Sequence, residues 1–451
     1  MAQQSVTPER QPAEATEAAR EAARAAAAAA AGAVAEGPPV TYQQVLADPD
    51  NIDLNYRFAQ TQIRQGDLKG ASATLERILL LAPDLAQVRL LYAVVLYRLD
   101  SLDEAERELK AVQALPMPAS VRSEVEAYLR KIEAKRRRTR WAASISVGGE
   151  YDSNRDAVPA SETRLFADTA FPVTPRRSDG GLLTIGSLRV VHDLGYQAGH
   201  ELFASAVGYQ NWQQHIIGQD LQAVALEAGG TYRTDLVDIS PSLTYSYLRL
   251  NHEKFLHSEG VKLRLDRKLG QTTEIFLQNH FQRQDFDAVR NTANGQDVAS
   301  SAPQRTGNLL ETSLGANFNI TPTNQLAVGY LHTLKHAEAG FEAYDGDEFR
   351  LGDTLLLGKG QFLLGSVSAA WQRYDDPDPF ISVRTRHDRL YRARFTYGIP
   401  FGTLLPFQLP EALNDVLLTL TVEQLRQVSN IVNFTYDNTK GQALITKRWE
   451  F

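Results

Sequence analysis

The residues in this chain most suggestive of chemistry are His252-Glu253-Lys254-Phe255-Leu256-His257. A zinc hydrolase motif places two histidines four positions apart on one helical face, with a glutamate directly after the first. Here the spacing is one residue too long. The segment also reads as a loop entering a strand, where the two imidazoles would not share a helical face. A metal centre is therefore not expected there. Asp375-Asp376-Pro377-Asp378 offers carboxylates for calcium, but an acidic loop exposed to solvent is the simpler reading. No G-x-S-x-G nucleophile elbow and no phosphate-cradling Walker loop occurs. The chain has no cysteine, so disulfides and thiolate metal ligands are excluded. These absences lead to the expectation of no enzyme activity, no catalytic residue, no metal and no cofactor. A net charge of -7 gives no reason to expect nucleic acid as a partner.

The charged residues that remain of interest recur at a spacing of two: Arg392 and Arg394, Glu423, then Arg448 and Glu450. This spacing belongs to strands, so each set lies on one face of its strand. In Tyr391–Ile399 that face, with Arg392, Arg394 and Thr396, opposes Tyr391, Ala393, Phe395, Tyr397 and Ile399. Two other segments alternate in the same way. Val237, Ile239, Leu243, Tyr245 and Tyr247 oppose Asp238, Ser240, Ser242, Thr244 and Ser246. Leu310, Leu314, Ala316, Phe318 and Ile320 oppose Glu311, Ser313, Asn317 and Asn319. An apolar face against one this polar suits lipid outside and water inside. The charges then form a lumenal network, with bracing of the wall as its first role and selectivity or gating as its second. The chain's mean hydropathy of -0.31 is no obstacle, because alternating strands keep the mean low. No run of about 18 apolar residues occurs, so no membrane-crossing helix is expected.

Fourteen such segments are expected, near 142–151, 181–193, 200–212, 220–232, 236–249, 255–268, 272–285, 307–319, 324–336, 345–358, 361–374, 388–399, 414–428 and 441–451. An even number puts both ends of the barrel chain on one side. Long connections at 152–180 and 286–306 alternate with short ones at 194–199, 233–235, 269–271, 320–323 and 359–360, as in outer-membrane barrels. The connection 400–413 breaks the pattern by being long on the short side. The chain ends Trp449-Glu450-Phe451, with Phe451, Trp449, Ile445 and Ala443 on one face and Lys447 as a blemish. A terminal aromatic on an amphipathic last strand is read as a barrel-assembly signal, with Trp449 and Phe451 its residues and the barrel-assembly machinery a partner.

The N-terminal part has a helical period instead. Glu14–Ala35 is alanine-rich and reads as a flexible or helical leader over 1–40 that buries little area. The first residues lack a basic, then apolar, secretory leader, which fits either a cytoplasmic protein or a mature form with an added Met1, and the barrel pattern favours the second. Across 41–140, Ala59 returns as Ala93, Leu68 as Leu102, Ala71 as Ala105, Leu75 as Leu109 and Ile78 as Val112. A period of 34 with small residues where paired helices meet is the tetratricopeptide-repeat (TPR) pattern. Two repeats are few, so Tyr42–Asp48 and Ala119–Arg138 are expected to cap them. The inner helices place Tyr56, Gln60 and Ile63, then Leu90, Val94 and Tyr97, on a concave, partner-binding surface. The basic run Lys135 to Arg140 ahead of Trp141 suits a lipid surface, or simply a helix end with cations opposing the dipole.

The expected organisation is thus an α + β two-domain protein: TPR repeats over 41–140, then a 14-stranded antiparallel transmembrane β-barrel over 141–451. With Gly148-Gly149-Glu150-Tyr151-Asp152-Ser153-Asn154 ending the first strand, and Ser429-Asn430-Ile431 with Tyr436 before the last, the chain resembles the surface lipoprotein assembly modifier (Slam) family. The resemblance covers roughly 41–451. It implies a type XI secretion role, in which an outer-membrane translocon assists the secretion or surface display of a lipoprotein or small protein partner. The TPR part would lie in the periplasm of a Gram-negative bacterium, with outer-membrane lipid around the barrel. The alternatives are a porin, an exopolysaccharide-export barrel with a TPR scaffold, or a barrel that merely anchors the repeats. An exopolysaccharide pore should show a basic or aromatic track through an open channel. A protein translocon should show a plugged lumen or a weak seam between first and last strands.

Overall fold

The computed structural model describes residues 40–49, 51–115, 119–195, 199–290, 297–405, 410, 413 and 416–451. The alanine-rich leader at 14–35 and the prolines at 116 and 118 lie outside the described residues. Two compact units divide the chain between Arg138 and Thr139.

The first unit is all helix: α1 (Tyr42–Ala47), α2 (Ile52–Gln65), α3 (Leu68–Leu81), α4 (Ala86–Arg98), α5 (Leu102–Gln113) and α6 (Ala119–Arg136). Local chemistry sets the boundaries. Asn51 and Asp67 cap α2 and α3 by accepting from the backbone N–H of Leu54 at 3.0 Å and of Gly70 at 2.9 Å. The turns that close α2 and α4 carry left-handed residues one repeat apart, Gly66 at φ 82° and Asp100 at φ 64°. Each is followed by the same backbone closure, Asp67 N–H to Gln62 C=O at 2.9 Å and Ser101 N–H to Leu96 C=O at 3.0 Å. The repeat therefore exists in backbone conformation as well as in residue type. Ala59, Ala71, Ala93 and Ala105 are fully buried, which lets the helices of each pair approach closely. A larger side chain at any of them would overpack the pair, at a cost of about 1–3 kcal/mol. Val45 of α1 and Val125 and Ile132 of α6 are buried as well, so α1 and α6 lend apolar surface to a stack with few repeats.

The second unit is a closed antiparallel barrel. Its wall runs β1 (Thr139–Asp152), β4 (Asp179–Asp193), β5 (Glu201–Gln213), β6 (Leu221–Arg233), β7 (Asp238–Leu250), β8 (Glu253–Leu269), β9 (Thr273–Phe286), β12 (Gly307–Thr321), β13 (Asn324–Ala337), β14 (Tyr344–Gly358), β15 (Gln361–Pro377), β16 (Thr385–Pro400), β17 (Leu417–Ser429) and β18 (Tyr436–Glu450). These are the fourteen segments expected from the alternation. Two small hairpins lie outside the wall, β2 (Thr163–Phe166) with β3 (Thr169–Pro172), and β10 (Val289–Arg290) with β11 (Asp297–Ala299). Neither was expected.

The alternation sorts the wall into two faces. Leu243, Val261, Leu314, Val367, Phe395, Val422 and Ile445 are exposed on one face. Ser242, Ser258, Gln278, Gln282 and Glu423 are buried on the other. An apolar face left open all round a closed sheet is a lipid-facing wall, and closure leaves no unpaired strand edge in hydrocarbon. Exposed aromatics ring both ends of this belt. Trp141, Tyr232, Trp449 and Phe451 stand at the end where the chain enters and leaves, and Tyr151, Trp212 and Trp371 at the other, as at membrane interfaces. Wall strands of 13 to 17 residues exceed the roughly 10 needed to cross, so they project beyond the bilayer. The fold is a transmembrane β-barrel of the outer-membrane type, preceded by helical repeats. No helix among the described residues is long and apolar enough to span a membrane.

Candidate functional site

A barrel acts through its lumen, its seam and its mouths. On the lumenal face Arg392 and Arg394 of β16 both reach Glu423 of β17. Arg394 makes a close ion pair, and Arg392 Nε lies 3.9 Å from the carboxylate. Glu348 and Arg350 of β14 pair at 2.8 Å on the same side of the barrel. Arg448 and Glu450 lie on the same face of β18 as Thr446, which bonds Ser146 across the seam at 2.8 Å. The structure therefore joins Arg392, Arg394 and Glu423 in one cluster and leaves Arg448 and Glu450 nearer the chain-end mouth. On the opposite wall Lys262 meets Glu227, and Arg264 donates to Asp266 at 2.8 Å.

The seam is fully paired, from Ala142 opposite Glu450 to Asp152 opposite Lys440. Gly148 is required here, because a Cβ would run into the backbone of Ala443. At the far end the seam is latched by buried polar residues. Glu150 accepts from Asn211 at 2.8 Å and from Gln442 at 2.7 Å, which ties β1 to β5 and β18. Asn154, 2% exposed, donates its amide to the carbonyls of Val158 at 3.0 Å and Asp437 at 3.1 Å, and accepts from the Val158 N–H at 3.0 Å. Arg155 and Lys440 reach Asp152 at 3.6 Å and 3.5 Å. In a buried site each of these bonds matters because losing a partner strands the other group. The weak seam expected of one kind of translocon is not what this barrel has.

The mouth opposite the chain ends carries two docked segments. On one side the β2–β3 hairpin leaves β1 and reaches the loop after β15. Ala167 and Asp168 N–H bond the carbonyls of Phe380 and Ile381 at 2.9 and 3.0 Å. Asp168 then accepts from the Ser382 hydroxyl at 2.6 Å and the Val383 N–H at 3.0 Å. Those bonds hold the Asp168 carboxyl below its usual range, the Ser382 hydroxyl contributing most. Asn433 exchanges hydrogen bonds with the Leu165 backbone at 2.6 and 3.0 Å. The hairpin's turn residues Ala167 and Asp168 have φ of 47° and 59°, a left-handed conformation that costs non-glycine residues about 1 kcal/mol or more each. Docking on the neighbouring loops holds them there. On the other side, Val289 and Ala302, from the connection between β9 and β12, pack against Leu248, Leu250, Phe255, Leu256 and Phe286. Leu248 and Leu250 share the inward face of β7 with Ser242 and Ser246, so Val289 and Ala302 sit against the inner face of the wall.

The metal-like motif stays apart from any site. His252 sits in the β7–β8 turn, 3.5 Å from Asp220, and His257 on β8, 3.3 Å from Asp285. The acidic run ends in a turn where Asp378 accepts from the Phe380 N–H at 2.9 Å. One group among the described residues has metal-ligand geometry: His332, Asp345 and Asp347, on the outer wall beside Trp371. Its carboxylates already hold a cation, with Arg373 at 3.0 Å from Asp345, and Asp347 also accepts from the Tyr330 hydroxyl at 2.6 Å. The basic run before β1 is also paired. Arg136 bonds Asp103 and Glu106, Arg137 lies 3.4 Å from Glu133, and Arg140 lies 2.5 Å from Glu201.

The concave repeat surface needs correction at one residue. Leu90 is 8% exposed and belongs to the core with Ala93, Ala105, Leu109 and Ile132. The reason is that α4 is apolar on nearly every face and lies between the two halves of the stack. Val94 and Tyr97 pack partly on that core, and the Tyr97 ring meets Tyr128 of α6 edge-on at 5.6 Å. Tyr56 and Ile63 lean on the first core and remain half-buried, as does Gln60. Burial pushes the Tyr56 hydroxyl up, against a hydrogen bond from Gln60. Trp449 and Phe451 stand exposed at the end of the lipid face.

The residues that sequence reasoning did not single out individually are Glu150, Asp152, Asn154, Asp168, Ser382 and the loop residues Val289 and Ala302. Only the first three had a signal, as part of the Gly148–Asn154 stretch.

No protein-family model matches the chain, and no curated protein sequence matches it either. Among solved structures, the TPR domain of P58(IPK) is similar at 32% identity over 20% of this chain and 26% of that one, with a TM-score of 0.20. The match thus spans about a quarter of that domain. OccAB4 of Acinetobacter baumannii is similar at 10% identity over 70% of this chain and 100% of its own, with a TM-score of 0.31. An anion-selective porin from Comamonas acidovorans is similar at 11% identity over 69% and 99%, with a TM-score of 0.35. At TM-scores this low the likenesses bear on neither family nor function.

Proposed function

We propose that this chain is an outer-membrane translocon that assists the secretion or surface display of a lipoprotein or small protein partner, as the resemblance to the surface lipoprotein assembly modifier family implies. The helical repeats lie in the periplasm and receive the cargo, and the barrel provides the crossing. The observation that carries this reading is the pair of docked segments at one mouth. A pore for continuous diffusion of small solutes needs a mouth that stays open. Here one mouth carries a hairpin docked through Asp168 and Ser382 and a second segment anchored through Val289 and Ala302, an arrangement suited to intermittent passage of something large. Four short turns, β6–β7, β8–β9, β12–β13 and β14–β15, lie at the end where the chain enters and leaves the barrel, against one long connection there, β16–β17, and short turns face the periplasm in outer-membrane barrels. Because the seam is latched, the route is the lumen and not a lateral opening. Trp449 and Phe451 are the assembly signal read by the barrel-assembly machinery.

The test is a comparison of surface-exposed proteins between host cells with and without this chain. Loss of a lipoprotein or small protein from the surface, with its accumulation in the periplasm, is the expected result. An unchanged surface protein set overturns the reading. A porin is the second reading, favoured by the charged wall formed by Arg350, Arg392, Arg394 and Glu423. A steady open conductance in planar bilayers would select it.

A further inference from the structure

The outer wall carries a polar strip where lipid should meet apolar residues. Thr184, Gln210, Gln222 and Arg249 lie side by side on β4 to β7, since Thr184 pairs with Gln210, Gln210 with Gln222 and Gln222 with Arg249. All four share the outward face with Leu182, Trp212, Val224 and Tyr245, which are exposed. They border a groove of about 520 Å³ floored by Gly186 and Gly208 and flanked by Val224 and Tyr247. At both glycines a Cβ would meet nothing within 4 Å, so the trough is open to the bilayer. The strip lies just below Trp212, at the depth where headgroups give way to acyl chains.

Two features of this strip point to a ligand. Arg249 is aimed and held, with one Nη donating to Gln222 Oε1 at 3.2 Å and the other to the His252 carbonyl. Gln210 Nε2 is buried and has no hydrogen-bond partner among the described residues. A buried donor without a partner, next to a fixed guanidinium, calls for an anionic oxygen acceptor. A cation facing lipid is tolerated near the interface and much less so at the midplane, which again places an anionic headgroup beside it.

We propose that this groove binds a phosphorylated glycolipid of the outer leaflet, its phosphate against Arg249 and the Gln210 and Gln222 amides and one acyl chain in the Gly186–Gly208 trough. The placement in the outer leaflet rests on the orientation given under the proposed function. The test is native mass spectrometry of the full chain in detergent with monophosphoryl lipid A, phosphatidylglycerol and phosphatidylcholine as probes. The wild type should retain lipid A in preference to both others. Arg249→Gln should weaken that binding about tenfold, the loss of a charge-assisted hydrogen bond. Gly208→Leu, whose Cβ meets nothing within 4 Å and whose side chain occupies the trough, should weaken it while the heat-modifiable shift of the folded barrel stays intact. Unchanged lipid A binding in both variants overturns the site, and preference for phosphatidylglycerol overturns the outer-leaflet assignment. Neither result depends on whether the barrel moves protein cargo.

Discussion

The backbones of Trp141 and Phe451 exchange two hydrogen bonds, 3.1 Å from the Trp141 N–H and 3.0 Å from the Phe451 N–H. The third residue of the first strand is thereby joined to the last residue of the chain, and the seam stays paired down to its final position. Phe451 closes the barrel with its backbone while its ring, 61% exposed, ends the lipid face of β18.

Deleting Phe451 removes both contributions. The expected outcome is a lower heat-modifiable folded fraction in outer membranes, while Phe451→Trp keeps the aromatic ring and the backbone pair and assembles normally. Full assembly of the deletion would remove the terminal residue from the account.

A permanently closed seam should be compatible with function. Val147 lies opposite Ile445, both exposed on the lipid face. Antiparallel partners have Cα separations of about 4.5–5.5 Å, within disulfide range. Because the chain has no cysteine of its own, Val147→Cys with Ile445→Cys gives one unambiguous cross-link. Export should proceed equally with the cross-link oxidised or reduced. Export only after reduction would show that the seam opens.

Acid should undock the hairpin. The Asp168 carboxyl is held below its ordinary range by Ser382 and Val383, so its charged form is the one docking favours. The contribution is complete above the ordinary carboxylate pKa of about 3.9 and is lost as pH falls through the depressed value. The protection of amides 163–172, taken relative to their intrinsic exchange rates, should be high at pH 6 and fall once the pH drops below the ordinary carboxylate value of about 3.9. Asp168→Asn should exchange faster at pH 6 than the wild type. Equal protection at both pH values would contradict the role of the carboxylate.

On the repeats, the two tyrosines should separate. Tyr97 packs on Tyr128, an aromatic pair of about 0.5–1.5 kcal/mol beyond its buried area, so Tyr97→Ala should lower the thermal stability of the helical unit. Gln60→Ala with Tyr56→Phe, which keeps the ring on the first core, should reduce cargo export with little loss of stability. The reverse pattern would place cargo contact on the α4 side.

Much of this architecture was legible because it is periodic. All fourteen wall strands follow from a period of two, and the helix pairs from the return of Ala59 as Ala93 and Ala71 as Ala105. What was not legible depends on partners far apart in sequence. Leu248 and Leu250 face inward on an otherwise polar side because Val289 and Ala302 pack on them, and nothing local to β7 announces those partners. Asp168 and Ser382 are 214 positions apart and have no pattern in common. Leu90 was placed on an open surface because repeat spacing locates a helix face without saying which other helix lies over it. The Gly148–Asn154 stretch stood out by likeness alone, and its physical role, a latch across the barrel seam, needed the register of β1 against β18.

The central claim is that a polypeptide crosses through the lumen. The most direct measurement places a photo-activatable cross-linker at Arg392 on the lumenal wall and, separately, at Leu243 on the lipid face, in host cells that are actively exporting. The account predicts a polypeptide adduct from Arg392 that disappears when residues 41–138 are removed, and none from Leu243. A lumen that yields no polypeptide adduct while export continues would contradict it.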